Sequence, residues 1–137
     1  MARQMNYQCV ASQFDRRYTD NEYGDLERFL LRFISGTMSG SILEVGCGTG
    51  HWLEVVTKQG YRILGLDPSS SMLSLASQKL PQSILIQGRA EAIPCSDASL
   101  DRVFLINALH HTKDSEKSIA EAYRILRRGG GLISNWY

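Results

Sequence analysis

Three alternating glycines, Gly46, Gly48 and Gly50, follow the run Ile42-Leu43-Glu44-Val45, and an acid, Asp67, closes the next apolar run. An apolar run of this length reads as a strand buried on both faces, and glycines directly after it let a ligand approach bare backbone. Glu44 lies within the first run. A carboxylate there would repel a pyrophosphate but could assist a ligand carrying an ammonium group, directly or through water. His51 occupies the position where the dinucleotide fingerprint G-x-G-x-x-G needs its third glycine. Asp67 stands roughly 20 residues past the glycines, the spacing at which an acid after the second strand accepts protons from ribose hydroxyls. The same oxygen would also serve as the N-cap of a helix opening at Pro68. Position and spacing favour the ribose, so the ligand expected is a nucleoside with a positively charged end and no required pyrophosphate.

His110 and His111 follow the run Leu100 to Ile106. Imidazoles titrate near neutrality and can take a proton from a nucleophile, although loop hydrogen bonding alone would also explain them. Cys47 reads as a small loop residue, with no neighbouring histidine or lysine motif to activate it. Cys9, Cys47 and Cys95 are odd in number and widely spaced. That pattern argues against a disulfide framework and against a CxxC motif; no metal is expected, and the simple reading is a reducing, cytoplasmic setting.

The elements that must position these residues are read from periodicity. Leu26, Phe29, Leu30, Phe33 and Ile34 mark one face of a helix ended by Gly36. Strands are expected at 42–45, 61–66, 83–87, 100–106 and 132–137. Helices are expected at 51–59, from Pro68 to Leu80, and at 114–127. Inward faces should carry Trp52, Val55 and Val56, then Met72, Leu75 and Ala76, then Ile119, Ala122, Tyr123 and Leu126. Alternating strands and helices imply a parallel sheet covered on both faces, an α/β doubly wound fold. Ligands then bind beyond the carboxyl ends of the strands. Gly46-Cys47-Gly48, Asp67, Arg89-Ala90-Glu91 and Asn107 to His111 should meet in one crevice. Residues 1–23 read as a mobile N-terminal segment or lid, with Tyr7, Phe14, Tyr18 and Tyr23 as its aromatics.

Composition narrows the partners. Fifteen basic and fourteen acidic residues give a net charge of +1 without a basic block, so neither nucleic acid nor an anionic membrane is expected. The 137 residues fit a single domain, with no signal-peptide core and no stretch of the roughly 20 apolar residues a membrane span needs.

Four stretches, Ile42 to Gly50, Gly65 to Ser69, Gly88 to Pro94 and Tyr123 to Gly130, resemble successive motifs of class I S-adenosylmethionine-dependent methyltransferases. The nearest likeness is to the type 11 group, similar to ubiquinone and menaquinone methyltransferases, and it covers about Phe14 to the C-terminus. The resemblance implies a Rossmann-like sheet of strand order 3-2-1-4-5. It also implies S-adenosyl-L-methionine as cofactor, S-adenosyl-L-homocysteine as product and a small-molecule methyl acceptor. Gly46 and Gly48 would meet the methionine end, Asp67 the ribose, Ala90 and Glu91 the adenine edge, and the backbone of Asn107 the amino group. Glu44, Cys47, Pro68 and Leu109 complete the expected cofactor site, with His110 and His111 as catalytic candidates beside the methyl group.

Three positions depart from the pattern. Arg89 stands where the family often has an acid accepting from the adenine amino group, and Arg128 where proline is common. The family's sheet normally continues through a hairpin of sixth and seventh strands, whereas this sequence ends at Tyr137, within the fifth. An edge carrying Leu132, Ile133, Trp136 and Tyr137 tends to pair, so the expectation is a truncated chain, a homodimer along the fifth strand or a marginally stable fragment. The leading expectation is a methyltransferase. Alternatives are a cofactor-binding module or fragment without turnover and, disfavoured by Glu44 and His51, an NAD-dependent dehydrogenase.

Overall fold

A computed structural model of the chain describes residues 24–106, 108 and 111–135. In chain order the elements are α1 (Gly24–Ile34), β1 (Ile42–Val45), α2 (His51–Lys58), β2 (Leu64–Asp67), α3 (Ser70–Lys79), β3 (Ile84–Gln87), β4 (Leu100–Ile106), α4 (Ser115–Ile125) and β5 (Leu126–Asn135). The five strands form one sheet in the order β3-β2-β1-β4-β5, and every pairing is parallel. The expected Rossmann-like order is therefore present.

The sheet separates two apolar clusters because alternate residues of a strand face opposite sides. Leu43, Val45, Val103 and Leu105 pack with Ala122 and Ile125 of α4 on one face. Ile42, Phe104 and Ile106 pack with Leu30 and Ile34 of α1 and with Trp52, Leu53 and Val56 of α2 on the other. All four residues of β1 are buried, as its unbroken run requires.

Three residues expected inward face outward: Phe29 is 57% exposed, Leu75 39% and Tyr123 65%. In each helix the buried stripe is set by an i, i+4 pair, Leu30 with Ile34, Met72 with Ala76 and Ser118 with Ala122. The outward residue adjoins a member of its pair, and one residue is about 100° of rotation on a helix. Leu53, not Val55, joins Trp52 and Val56 in the buried face of α2.

The fifth strand also begins earlier than expected. Leu126 pairs with Leu100 directly after α4; four residues then bulge out, and pairing resumes with Gly131 opposite Arg102. Gly129 turns this bulge at φ +83°. A side chain at Gly131 would strike the Phe33 ring at 2.7 Å, which explains the glycine there. Leu132 and Ile133, on the edge strand β5, pack against the two clusters on opposite faces of the sheet. The expected lid aromatics, together with Asn107, Leu109, His110, Trp136 and Tyr137, lie outside the described residues. No described helix is long and apolar enough to cross a membrane.

Candidate functional site

Val45 lies opposite Leu66 in the parallel ladder, so β1 and β2 deliver Gly46 and Asp67 side by side at their carboxyl ends. The N–H groups of Gly46 and Cys47 both donate to the Leu66 carbonyl, at 2.7 and 3.0 Å, which pins the turn to β2. The three glycines then serve different ends. Gly46, at φ +77°, is a close-packing residue, because a Cβ there would lie 2.5 Å from the Ala108 Cβ. Gly48, at φ +55°, has nothing within 4 Å of that position and faces open space. Gly50 precedes α2 in the left-handed conformation, with no side chain capping the helix.

Asp67 braces this turn. Its Oδ2 accepts from the Gly48 N–H and its Oδ1 from the Ser69 N–H, each at 2.9 Å. The cap of α3 is Ser69, whose Oγ accepts from the Met72 N–H at 3.2 Å. The capping role is therefore filled by another residue, and each Asp67 oxygen keeps acceptor capacity for a further donor. Pro68 is exposed beside it.

Glu44 is 1% exposed, and its Oε1 is buried without a hydrogen-bond partner. Burial first, and the Asp67 carboxylate second, hold its carboxyl well above the usual range. Burial also raises Asp67, opposed by the Ser69 and Gly48 N–H groups. With two donors on Asp67 and an orphaned oxygen on Glu44, the negative charge of the pair resides on Asp67. The Cys47 thiol is pushed up by burial, then by Glu44 and Asp67, which makes it an inert packing group.

The sign of the resulting pH dependence follows from linkage. Unfolded, Glu44 ionises near the ordinary glutamate value of about 4.3, while folded it stays protonated to higher pH. Its contribution to stability is fully present below the unfolded value and is lost as pH rises through the folded one. Urea midpoints should therefore fall less between about pH 5 and about pH 8 in Glu44→Gln than in the wild type. Equal slopes would remove Glu44 as the source.

On the third side of the crevice Ala90 is buried, and Arg89 is exposed, its carbonyl accepting from the Ala92 N–H at 3.1 Å. Glu91 Oε1 lies 3.3 Å from Ser118 Oγ, whose single proton also meets the Asp114 carbonyl at 2.9 Å, so this side chain turns toward α4. His111 is exposed in a short turn, its N–H donating to the Ala108 carbonyl at 3.0 Å. A cavity of about 510 Å³ at the amino ends of β2 and β3, lined by residues such as Tyr61, Arg62, Lys79 and Leu80, contains none of the predicted site residues.

Two further contributors were given no site role from sequence, although Gly65 and Arg124 lie within the motif stretches. Gly65 leaves room for Cys47 Sγ and Leu53, each 2.9 Å from where its Cβ would stand. Ser118, Glu121 and Arg124 of α4 hold the segment after β3, and their i, i+3, i+6 spacing was the available signal.

A glycine turn after β1 and an acid after β2, on a sheet of this order, place the chain among the doubly wound α/β proteins. The family described as "Methyltransferase domain" matches residues 43–134. The chain belongs to this family, the type 11 group of class I S-adenosylmethionine-dependent methyltransferases. It is 36% identical over 95 residues to an uncharacterized methyltransferase of Mycobacterium bovis, covering 69% of this chain and 39% of that protein. It is 30% identical over 134 residues to the malonyl-[acyl-carrier protein] O-methyltransferase of Serratia marcescens, covering 94% and 52%. The fold is similar to that of a protein from Methanococcus maripaludis assigned as an S-adenosyl-L-methionine-dependent methyltransferase. That likeness has a TM-score of 0.82 at 22% identity, covering 98% of this chain and 66% of the other. The chain thus spans about half the length of these two curated relatives.

Proposed function

We propose that this chain binds S-adenosyl-L-methionine and transfers its methyl group to a small-molecule acceptor, leaving S-adenosyl-L-homocysteine. The observation that carries this reading is the Asp67 carboxylate on the Gly48 N–H, at the edge of open space above Gly48. The residues fit the cofactor. Asp67 has acceptor capacity for ribose hydroxyls, Gly48 leaves room for a ligand, and the orphaned Glu44 Oε1 lacks a cationic donor. In this reading Gly46, Cys47 and Pro68 serve the methionine and ribose side and Ala90 and Glu91 the base side, while Asn107 and Leu109, also expected to contribute, lie outside the described residues.

The bound cofactor supplies an already activated methyl group, so the protein's part is to align the acceptor and exclude water. Where the attacking atom of the acceptor carries a proton, His110 or His111 is proposed to take it. Titration calorimetry should detect S-adenosylhomocysteine and no NAD; NAD binding alone would overturn the reading.

The second reading is a unit that holds the cofactor without turnover. Methyl transfer from labelled cofactor across an acceptor panel, lost when both histidines are alanine, would reject it.

A further inference from the structure

The segment joining β3 to β4 is fastened along most of its length to one face of one helix. Ser118 Oγ, whose single proton is shared with the Asp114 carbonyl at 2.9 Å, lies 3.3 Å from Glu91 Oε1, and Glu121 Oε2 accepts from the Ile93 N–H at 2.8 Å. Arg124 donates to the Ile93 carbonyl at 2.7 Å, the Cys95 carbonyl at 2.8 Å and Asp97 Oδ1 at 2.7 Å. Its guanidinium also grips both oxygens of Glu121, at 2.8 and 2.9 Å. The Ala98 and Ser99 N–H groups then donate to the carbonyls of Arg124 and Ile125. A planar fork meeting two carbonyls and two carboxylates fixes position more tightly than a lysine could.

We infer that Ser118, Glu121 and Arg124 form a clasp that positions the Arg89 to Ile93 segment for recognition of the adenine base, with Arg124 as the principal positioning residue. The inference rests on the cofactor reading above. It extends that reading to base selectivity, which this sequence has no acid at position 89 to supply. The exposed Arg89 leaves discrimination to backbone N–H and carbonyl groups, and these read a base edge only while their segment is held still. Burial of the segment alone would not set its register. Ala90 and Ile93 are buried, but Arg89, Ala92 and Pro94 are exposed, so two anchors alone leave the backbone between them free to shift.

The test compares S-adenosylhomocysteine with S-inosylhomocysteine, which differs only at the base, by calorimetry on wild type, Arg124→Met, Arg124→Lys and Glu121→Gln. Measurements are made where circular dichroism shows each variant folded. The wild type should prefer the adenine ligand, and Arg124→Met should weaken that ligand about tenfold, the worth of roughly one charge-assisted hydrogen bond, while narrowing the preference. Arg124→Lys should restore only part of the preference. A merely structural clasp would lower thermal stability and leave the preference intact; that result, or no preference in the wild type, overturns the inference. If Arg124→Met does not fold, Glu121→Gln decides by the same criterion. Failure of the wild type to bind either ligand would instead sink the cofactor reading, and the inference with it.

Discussion

Asp67→Ala is expected to lose both S-adenosylhomocysteine affinity and stability, by separable amounts. The substitution removes the acceptor of two N–H groups, those of Gly48 and Ser69. Each part-buried donor left without a partner costs about 1–3 kcal/mol, so a stability loss of about 2–6 kcal/mol is expected, reduced by relief of a buried carboxylate. The ribose contact adds a separate loss of about 1.5–3 kcal/mol in binding, read by calorimetry on the folded fraction. Ser69→Ala is the matched control. It removes the α3 cap, costing about 0.5–2 kcal/mol of stability, and should leave affinity unchanged. Unchanged affinity in folded Asp67→Ala would mean the carboxylate only braces the turn.

Gly46→Ala and Gly48→Ala should fail in opposite ways. Both residues have positive φ, and a side chain there costs about 1–2 kcal/mol. At Gly46 the added Cβ would also meet the Ala108 Cβ at 2.5 Å, a distance real structures do not hold. Overpacking adds about 1–3 kcal/mol, so denaturant midpoints should drop sharply in this variant. At Gly48 the new methyl enters open space, so stability should fall only by the backbone cost while cofactor affinity is lost. Equal stability losses with equal affinity losses would show that both glycines serve the turn alone, and that the space above Gly48 is not the ligand's.

By itself the sequence determined the order of elements, because strand and helix periods are local properties of the chain. Ile42 to Val45 reads as a doubly buried strand, and it is one. The glycines and Asp67 stand out in the sequence as candidate site residues through backbone freedom and an acid after a strand, and the fold brings them side by side. Helix faces were less legible. Phe29, Leu75 and Tyr123 are apolar or aromatic enough to point inward, and only the angle at which each helix meets the sheet turned them out.

The tertiary structure alone decided contacts between residues distant along the chain. It set the Asp67 carboxylate on the N–H of Gly48, nineteen residues away. It placed Ala108 against Gly46, separating a packing glycine from an open one that the same motif presents as equivalent. It also joined Arg124 to Ile93, Cys95 and Asp97. The physical reason is common to all three. A hydrogen bond or a clash is set within a few tenths of an ångström by how parallel strands bring loop ends together, and no local pattern encodes that distance.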